Sequence, residues 1–256
     1  MTRIWLIARR EALEQWRQPV MLVVIASLFA LVSAAGAGVV HLLHQVTLDP
    51  DTAQLLADIG AFGPDALPAL VRSALGLLSF LGFSQYLGIA AVLAGHGMLH
   101  ERQCGTLTFL LLAPVRRLEL LAGKVLGAMA WPTLLYLTLV GAGSLLAAAS
   151  PSSIAAPHLT PRSVGWWITF LLAGPLWASA IATACTLISA VARDVRSAQQ
   201  GVWFLVFFAT LGAGTLLTAS LGSGWLMPLL SCAAAATLTA TLAFAGTVVL
   251  SGDLSR

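Results

Sequence analysis

An all-α integral membrane protein is the fold the sequence predicts: six transmembrane helices preceded by an amphipathic interfacial helix. Three observations carry this. Hydrophobic residues make up 59% of the 256-residue chain and charged residues 9%, against about 25% charged in a soluble domain. The apolar residues fall in six blocks, each long enough to cross roughly 30 Å of bilayer hydrocarbon as a helix. Lys and Arg collect on alternate sides of those blocks. Six spans give one side Arg3, Arg9, Arg10, Arg17, Arg102, Arg116, Arg117, Lys124, Arg193, Arg196 and Arg256, and the other only Arg72 and Arg162. The positive-inside rule then places both termini in the cytoplasm.

Residues 1–19 form the interfacial helix. Trp5, Ala8, Ala12 and Trp16 recur at helical spacing, Ile4 and Leu13 stand beside them, and Arg3, Arg9, Arg10 and Arg17 supply charge. Such a helix suits the headgroup region, either as an anchor alone or also as a contact for a partner. Pro19 ends it. The transmembrane domain follows over 20–250. Its first span is Val20 to Val40; Ala35-Gly36-Ala37 resembles a signal cleavage site, but this run exceeds the roughly 7–15 residues of a signal h-region. His41 to Leu70 is an outer loop with Asp49, Asp51, Asp58 and Asp65 and no Lys or Arg. Further spans are expected at Ser73–Leu99, Leu120–Ala149 (kinked at Pro132), Val164–Val191 (with Pro175 inside), Gly201–Leu221 and Trp225–Leu250. A cytoplasmic tail, 251–256, closes the chain.

The central stretch His100–Lys124 interrupts the apolar blocks with Glu101, Arg102, Arg116, Arg117, Glu119 and Lys124. Within it, Leu107 to Ala113 is too short to span a bilayer. Gly105 opens this run and Pro114 closes it, which predicts a short helix, roughly Glu101 to Ala113, broken at both ends. It would lie at the membrane surface, where a soluble partner can push on the domain.

Several chemistries are excluded. The only Gly-Lys pair is Gly123-Lys124, with Leu118 where a P-loop needs its first glycine and Val125 after the lysine, so the chain has no ATP site of that kind. It has no HExxH and no GxSxG. The net charge of +3 comes from residues dispersed at span ends and signals topology rather than nucleic-acid binding. Three cysteines without a CxxC pair give no disulfide framework. His96, His100 and Cys104, spaced by four, are weak metal candidates, as are His41 and His44; otherwise no metal is expected. Ser84, Gln85 and Tyr86 form the most polar cluster deep in a span and, with Thr210, Thr215 and Thr218, either line a pathway or bond to neighbouring backbone. Gly123 and Gly127 make a GxxxG, which permits close helix packing.

Glu101-Arg102, Gly105-Thr106-Leu107, Leu111-Leu112, Pro114, Arg116-Arg117, Glu119-Leu120 and Gly123-Lys124 together resemble the segment after the second span in ABC-2-type permeases, the membrane subunits of ATP-binding-cassette exporters. Ala8 to Glu11 and Ala192 to Gln200 are similar to further stretches of that family. Cys104 and Thr108 stand where many members carry an acidic residue, and Arg116 where Ser is usual. The resemblance implies a permease that forms the substrate pathway as a dimer, with a second copy or a related subunit, in the bacterial cytoplasmic (inner) membrane. Separate cytoplasmic ABC ATPase subunits would bind ATP and Mg, and this chain would hold no cofactor and catalyse nothing itself. It implies that segment 100–119 couples to the ATPase through Glu101, Arg102, Gly105, Thr106 and Leu107, with Glu101 and Arg102 making polar contacts or local ion pairs, and that Arg116, Arg117 and Lys124 anchor the loop at the headgroups. The reading from another class is a membrane scaffold or assembly factor that transports nothing, suggested by the scarcity of polar residues in the spans.

Overall fold

The computed structural model describes residues 2–16, 23, 27, 30, 31, 34, 66–106, 115–149, 164–192, 194–220 and 226–252; side chains at 2, 66–79, 102, 142–149, 166, 195, 213–220 and 249–252 are not described. The described residues are helical almost throughout and include no strand. In chain order the elements are α1 (Thr2–Trp16), α2 (Ala66–Gln103), α3 (Arg117–Ala149), α4 (Val164–Trp167), a π turn (Ile168–Ala173), α5 (Gly174–Val191), α6 (Val195–Ser220) and α7 (Leu226–Gly252). Among the described residues three stretches are long and apolar enough to cross a membrane: Arg117–Gly141, Ile168–Val191 and Leu226–Val248. The expected first span, the loop 41–65 with His41 and His44, and the tail 253–256 lie largely or wholly outside the described residues.

Several boundaries differ from expectation, each for a local reason. α2 runs on through Glu101 and Arg102 to Gln103, so those two residues lie in its last turn instead of opening a separate helix. Its last turn is held by the Cys104 N–H on the His100 carbonyl at 3.0 Å. Gly105, at φ +70°, then turns the chain out of the helix, a conformation that a side chain would strain. Thr106 resumes helical geometry, and residues 107–114 are outside the description. α3 begins at Arg117 because Glu119 reaches back to accept the Arg116 N–H at 3.1 Å, half of a capping box. α6 begins at Val195, absorbing part of the polar loop expected at 192–199, because Asp194 caps it: its Oδ1 accepts the Ser197 N–H at 2.6 Å. These bonds hold the Asp194 carboxylate below its ordinary pKa.

α2 is central. Leu87, Ala90, Ala91 and Ala94 on α2, and Ala178, Ile181, Ala182 and Cys185 on α5, are buried in one core, and the two helices are neighbours. Small residues on both sides let the backbones approach, which is how helices associate where lipid removes the hydrophobic drive. α3 and α6 pack on other sides of α2, and α7 packs on α5. Leu134, Trp203, Phe204, Phe207, Phe208 and Phe244 remain exposed, as suits a surface solvated by lipid.

α1 docks lengthwise on α3. A Cβ on Gly123 would stand 2.7 Å from the Ile7 side chain, and one on Gly127 would collide with the Glu11 Cβ and come within 2.9 Å of the Ala8 carbonyl. The Trp131 indole N–H donates to the Ala12 carbonyl at 3.0 Å, and its ring stacks on Trp16 at 4.7 Å. The contacts advance by about four residues in both helices, so α1 and the first turns of α3 run side by side in the same direction. The face that docks carries Ile4, Ile7, Ala8, Glu11 and Ala12, while Trp5, Leu6, Leu13 and Trp16 stay exposed. The single apolar side expected from Trp5, Ala8, Ala12 and Trp16 is therefore divided: the alanines meet protein and the tryptophans flank the seam.

Gly127→Val should undock α1, since overpacking of this kind costs about 1–3 kcal/mol. Limited trypsin digestion at Arg9 and Arg10 measures it. The variant is expected to be cut faster than the wild type, and equal rates would mean that the glycine seat does not hold the helix.

Candidate functional site: a buried charge clasp

α1, the end of α2 and the start of α3 meet at one lysine. Lys124 is only 4% exposed. Its Nζ donates to Glu11 Oε1 at 2.6 Å and lies 2.7 Å from Glu101 Oε2, an ion pair not aligned as a hydrogen bond. Glu101 is buried as well, at 7% exposure. Gly97 sits over the group: a Cβ there would lie 3.6 Å from Glu11 Oε2 and 3.9 Å from Lys124 Nζ. A Cβ would meet both at ordinary contact distance, so the charged group packs closely against α2 at Gly97.

An ammonium stripped of water is tolerated only when paired, and here two carboxylates from two helices flank it. Burial lifts the Glu101 pKa above the ordinary 4.5, against the opposing pull of Lys124. Arg10 supports the same neighbourhood from α1: its Nε binds Glu14 at 2.8 Å on the exposed side, and its charge also favours ionised Glu101.

The residues singled out in the sequence separate into groups. Glu101 and Lys124 come together in the clasp, so Lys124, expected at the headgroups, is enclosed in protein. Arg116 is exposed and Arg117 half-buried at the head of α3. Gly105 forms the turn, and the exposed Thr106 donates its hydroxyl to the Glu101 carbonyl at 3.2 Å. Gln103, Cys104, Gly105 and Thr106 form an exposed turn directly behind Glu101. The Arg102 side chain and Leu107 are outside the description. His100 Nε2 lies 3.8 Å from Cys104 Sγ. His96 lines a small cleft of about 170 Å³ between α2 and α6, with Leu99, Gln199 and Trp203. No cluster of three or more His, Cys, Asp or Glu able to hold a metal occurs among the described residues.

Of the polar cluster in α2, Ser84 and Gln85 are half-buried and Tyr86 is fully enclosed. Tyr86 stacks on Tyr136 of α3 at 4.3 Å with the rings 11° from parallel, and its hydroxyl pairs with Thr133 Oγ1 at 2.9 Å. In this conformation Tyr86 fastens α2 to α3 and lines no open route. Thr210 is buried on α6.

Glu11, Gly97 and Trp131 escaped the sequence reading. The signal for the first was present: a lysine inside a GxxxG adjoins a close helix contact, and so calls for a carboxylate from the helix that docks there.

A family model described as "ABC-2 family transporter protein" matches residues 5–233. The chain belongs to the ABC-2 transporter family. The match begins inside α1 and reaches into α7. No curated protein matches the chain. As an ABC-2 family protein it is a membrane transport component, of a family whose permeases generally work with ABC ATPase partners.

Two outcomes follow from the clasp. Lys124→Met leaves two buried carboxylates uncompensated, a change that costs about 3–5 kcal/mol, whereas Lys124→Met with Glu11→Gln and Glu101→Gln leaves none. Thermal unfolding in detergent should show the single variant less stable than the triple; the reverse order would mean that Lys124 is not held by charge. The second outcome concerns pH. The folded protein binds the Glu101 proton more tightly than the unfolded chain does. Its contribution to stability is therefore largest below the ordinary carboxylate range, declines as pH rises through the raised value, and then levels off. Glu101→Gln should flatten that decline in unfolding measured from about pH 4 to pH 8.

Proposed function

We infer that the chain is the permease subunit of an ATP-driven exporter: six spans, both termini cytoplasmic, paired with a second copy or a related subunit to form the pathway in a bacterial cytoplasmic membrane. Separate ABC ATPase subunits bind ATP and Mg and act on segment 100–119. The observation that carries this reading is the clasp. A push delivered to that segment needs a stiff connection to the spans on either side of it. Glu101 lies in the last turn of α2, Lys124 lies about two turns inside α3, and Glu11 adds α1 to the same group.

The clasp also refines the roles within the segment. Buried Glu101 acts as a strut, and the surface offered to the ATPase is the exposed turn Gln103–Thr106 that follows it in the chain, with Arg102 and Leu107 as further contact residues. Arg116 and Arg117 hold the head of α3 at the lipid headgroups, and α1 rests at the same interface with Trp5 and Trp16 toward lipid. The enclosure of Tyr86 lends some weight to the scaffold reading, since a packed interior offers cargo no route in this conformation.

Copurification with the candidate ATPase, followed by ATPase rates, separates the two readings. A stable complex is expected, with Glu101→Ala altering stimulation about two- to thirtyfold, the range of mutations that modulate coupling between sites. A complex whose rate ignores Glu101→Ala would remove the strut. Absence of any complex would put the scaffold first.

A further inference from the structure

The membrane-crossing stretch Ile168–Val191 is not one regular helix. Ile168–Ala173 is a π turn, in which the Gly174 N–H bonds the Thr169 carbonyl, five residues back. In an α-helix that N–H would bond Phe170. π turns are rare and tend to occur at functional positions. Here the turn sits directly before Pro175, which has no N–H to continue the ladder.

Tyr136 of α3 reaches this place from outside. Its hydroxyl stands 2.7 Å from where a Cβ on residue 174 would be, so only glycine leaves room for it. The Tyr136 side chain is 1% exposed, yet its hydroxyl has no hydrogen-bond partner. A buried hydroxyl in that condition is costly, and in a membrane bundle no water relieves it. The ring itself is fixed by stacking on Tyr86. α5 beyond the turn is fixed too: Ala178, Ile181, Ala182 and Cys185 are in the core, the Trp177 indole N–H donates to Ser231 at 2.9 Å, and Ser179 pairs with Thr239 at 3.2 Å. The turn's other neighbour, α7, is the most exposed of the three spans.

We propose that Tyr136 and Gly174 make the π turn a hinge, at which α4 rotates against α5 during the transport cycle. The inference rests on the exporter reading given above. Conversion of the π turn to α-helix shifts the register by one residue. This rotates the Val164 end about 100° and moves it about 1.5 Å relative to α5. The Gly174 N–H passes from Thr169 to Phe170 and the Ala173 N–H takes the Thr169 carbonyl, so the carbonyl that the α register leaves without a donor is that of Leu171, four residues before Pro175, and the Tyr136 hydroxyl is the unpartnered donor against Gly174. The hydroxyl thus gains in the second state what it lacks in the first, and Tyr136 is a positioning residue for the change.

The test uses the full chain with the ABC ATPase that copurifies with it, in lipid nanodiscs. Hydrogen exchange of amides 168–174 is compared between the nucleotide-free complex and an ATP-bound complex with a hydrolysis-deficient ATPase. The expected result is an exchange difference of about fivefold or more over 168–174 with little over 178–190. Tyr136→Phe, which removes the unpaired hydroxyl, should shrink that difference without lowering the unfolding temperature. Gly174→Ala, which crowds the hydroxyl, should lower ATPase stimulation, and Tyr136→Phe added to it should restore part of the loss. If residues 100–106 respond to nucleotide and 168–174 do not, the hinge is overturned and the exporter reading stands. If no segment responds, or no ATPase copurifies, both are overturned.

Discussion

The structure depends on keeping one ammonium ion out of water. Lys124 lies inside a helix-packing seam, and it stays charged there because Glu11 and Glu101 arrive from two different helices. Removing two charges from water costs as much as their attraction returns, so a buried pair adds little net stability and its loss costs a good deal. What the arrangement contributes is specificity. Three helix ends have to be in register for either bond to form. A shift of α1 by one turn along α3 would leave Glu11 beside Gly123 or Trp131 and the lysine half-compensated.

Packing enforces the same register independently. Gly123 and Gly127 leave a groove on α3, and Ile4, Ile7, Ala8 and Glu11 fill it with their backbone close behind. In lipid such close approach replaces the hydrophobic effect as the source of helix association. Glu11 takes part in both devices, with its Cβ against Gly127 and its carboxylate on Lys124. Shape and charge therefore select a single docking of α1, and the Trp16–Trp131 stack closes its far end.

Much of this was legible in the sequence. The apolar blocks, the charge asymmetry and the break at Gly105 follow from local composition and backbone chemistry, and the structure bears out the helices, three stretches able to span, and the turn. The family was legible too, because its motif is contiguous. The clasp is less so: Glu101 and Lys124 stand out as charges in the central stretch, and local ion pairing is one role the sequence suggests for Glu101, but it points to no partner. Partners 23 and 113 residues away in the chain leave no periodic trace. The same holds for Tyr86, which reads as polar from its residue type but is committed to Tyr136 by tertiary packing. The helix expected from Glu101 illustrates the limit from the other side. Gly105 marked a break, yet nothing local indicated that α2 would run through the charged residues up to it.

The two cross-ties between α2 and α3 have a mechanical consequence. Glu101 and Lys124 join the helices at one end, and Tyr86 with Tyr136 and Thr133 joins them again deeper in the bundle. Glu101 to Tyr86 is 15 residues along α2, about 22 Å, and Lys124 to Tyr136 is 12 along α3, about 18 Å. Two helices tied at two levels resist sliding past one another, so a displacement at the clasp reaches the tyrosine pair with little loss. There the next contact is Gly174, at the edge of the one irregular turn in the described spans. α5 beyond it is locked to α2 and α7. Of the parts that meet at that level, the π turn has the weakest claim to its present hydrogen bonds, because its alternative is the commoner helix. A force applied at Glu101 and Lys124 therefore finds its yielding point at Ile168–Ala173.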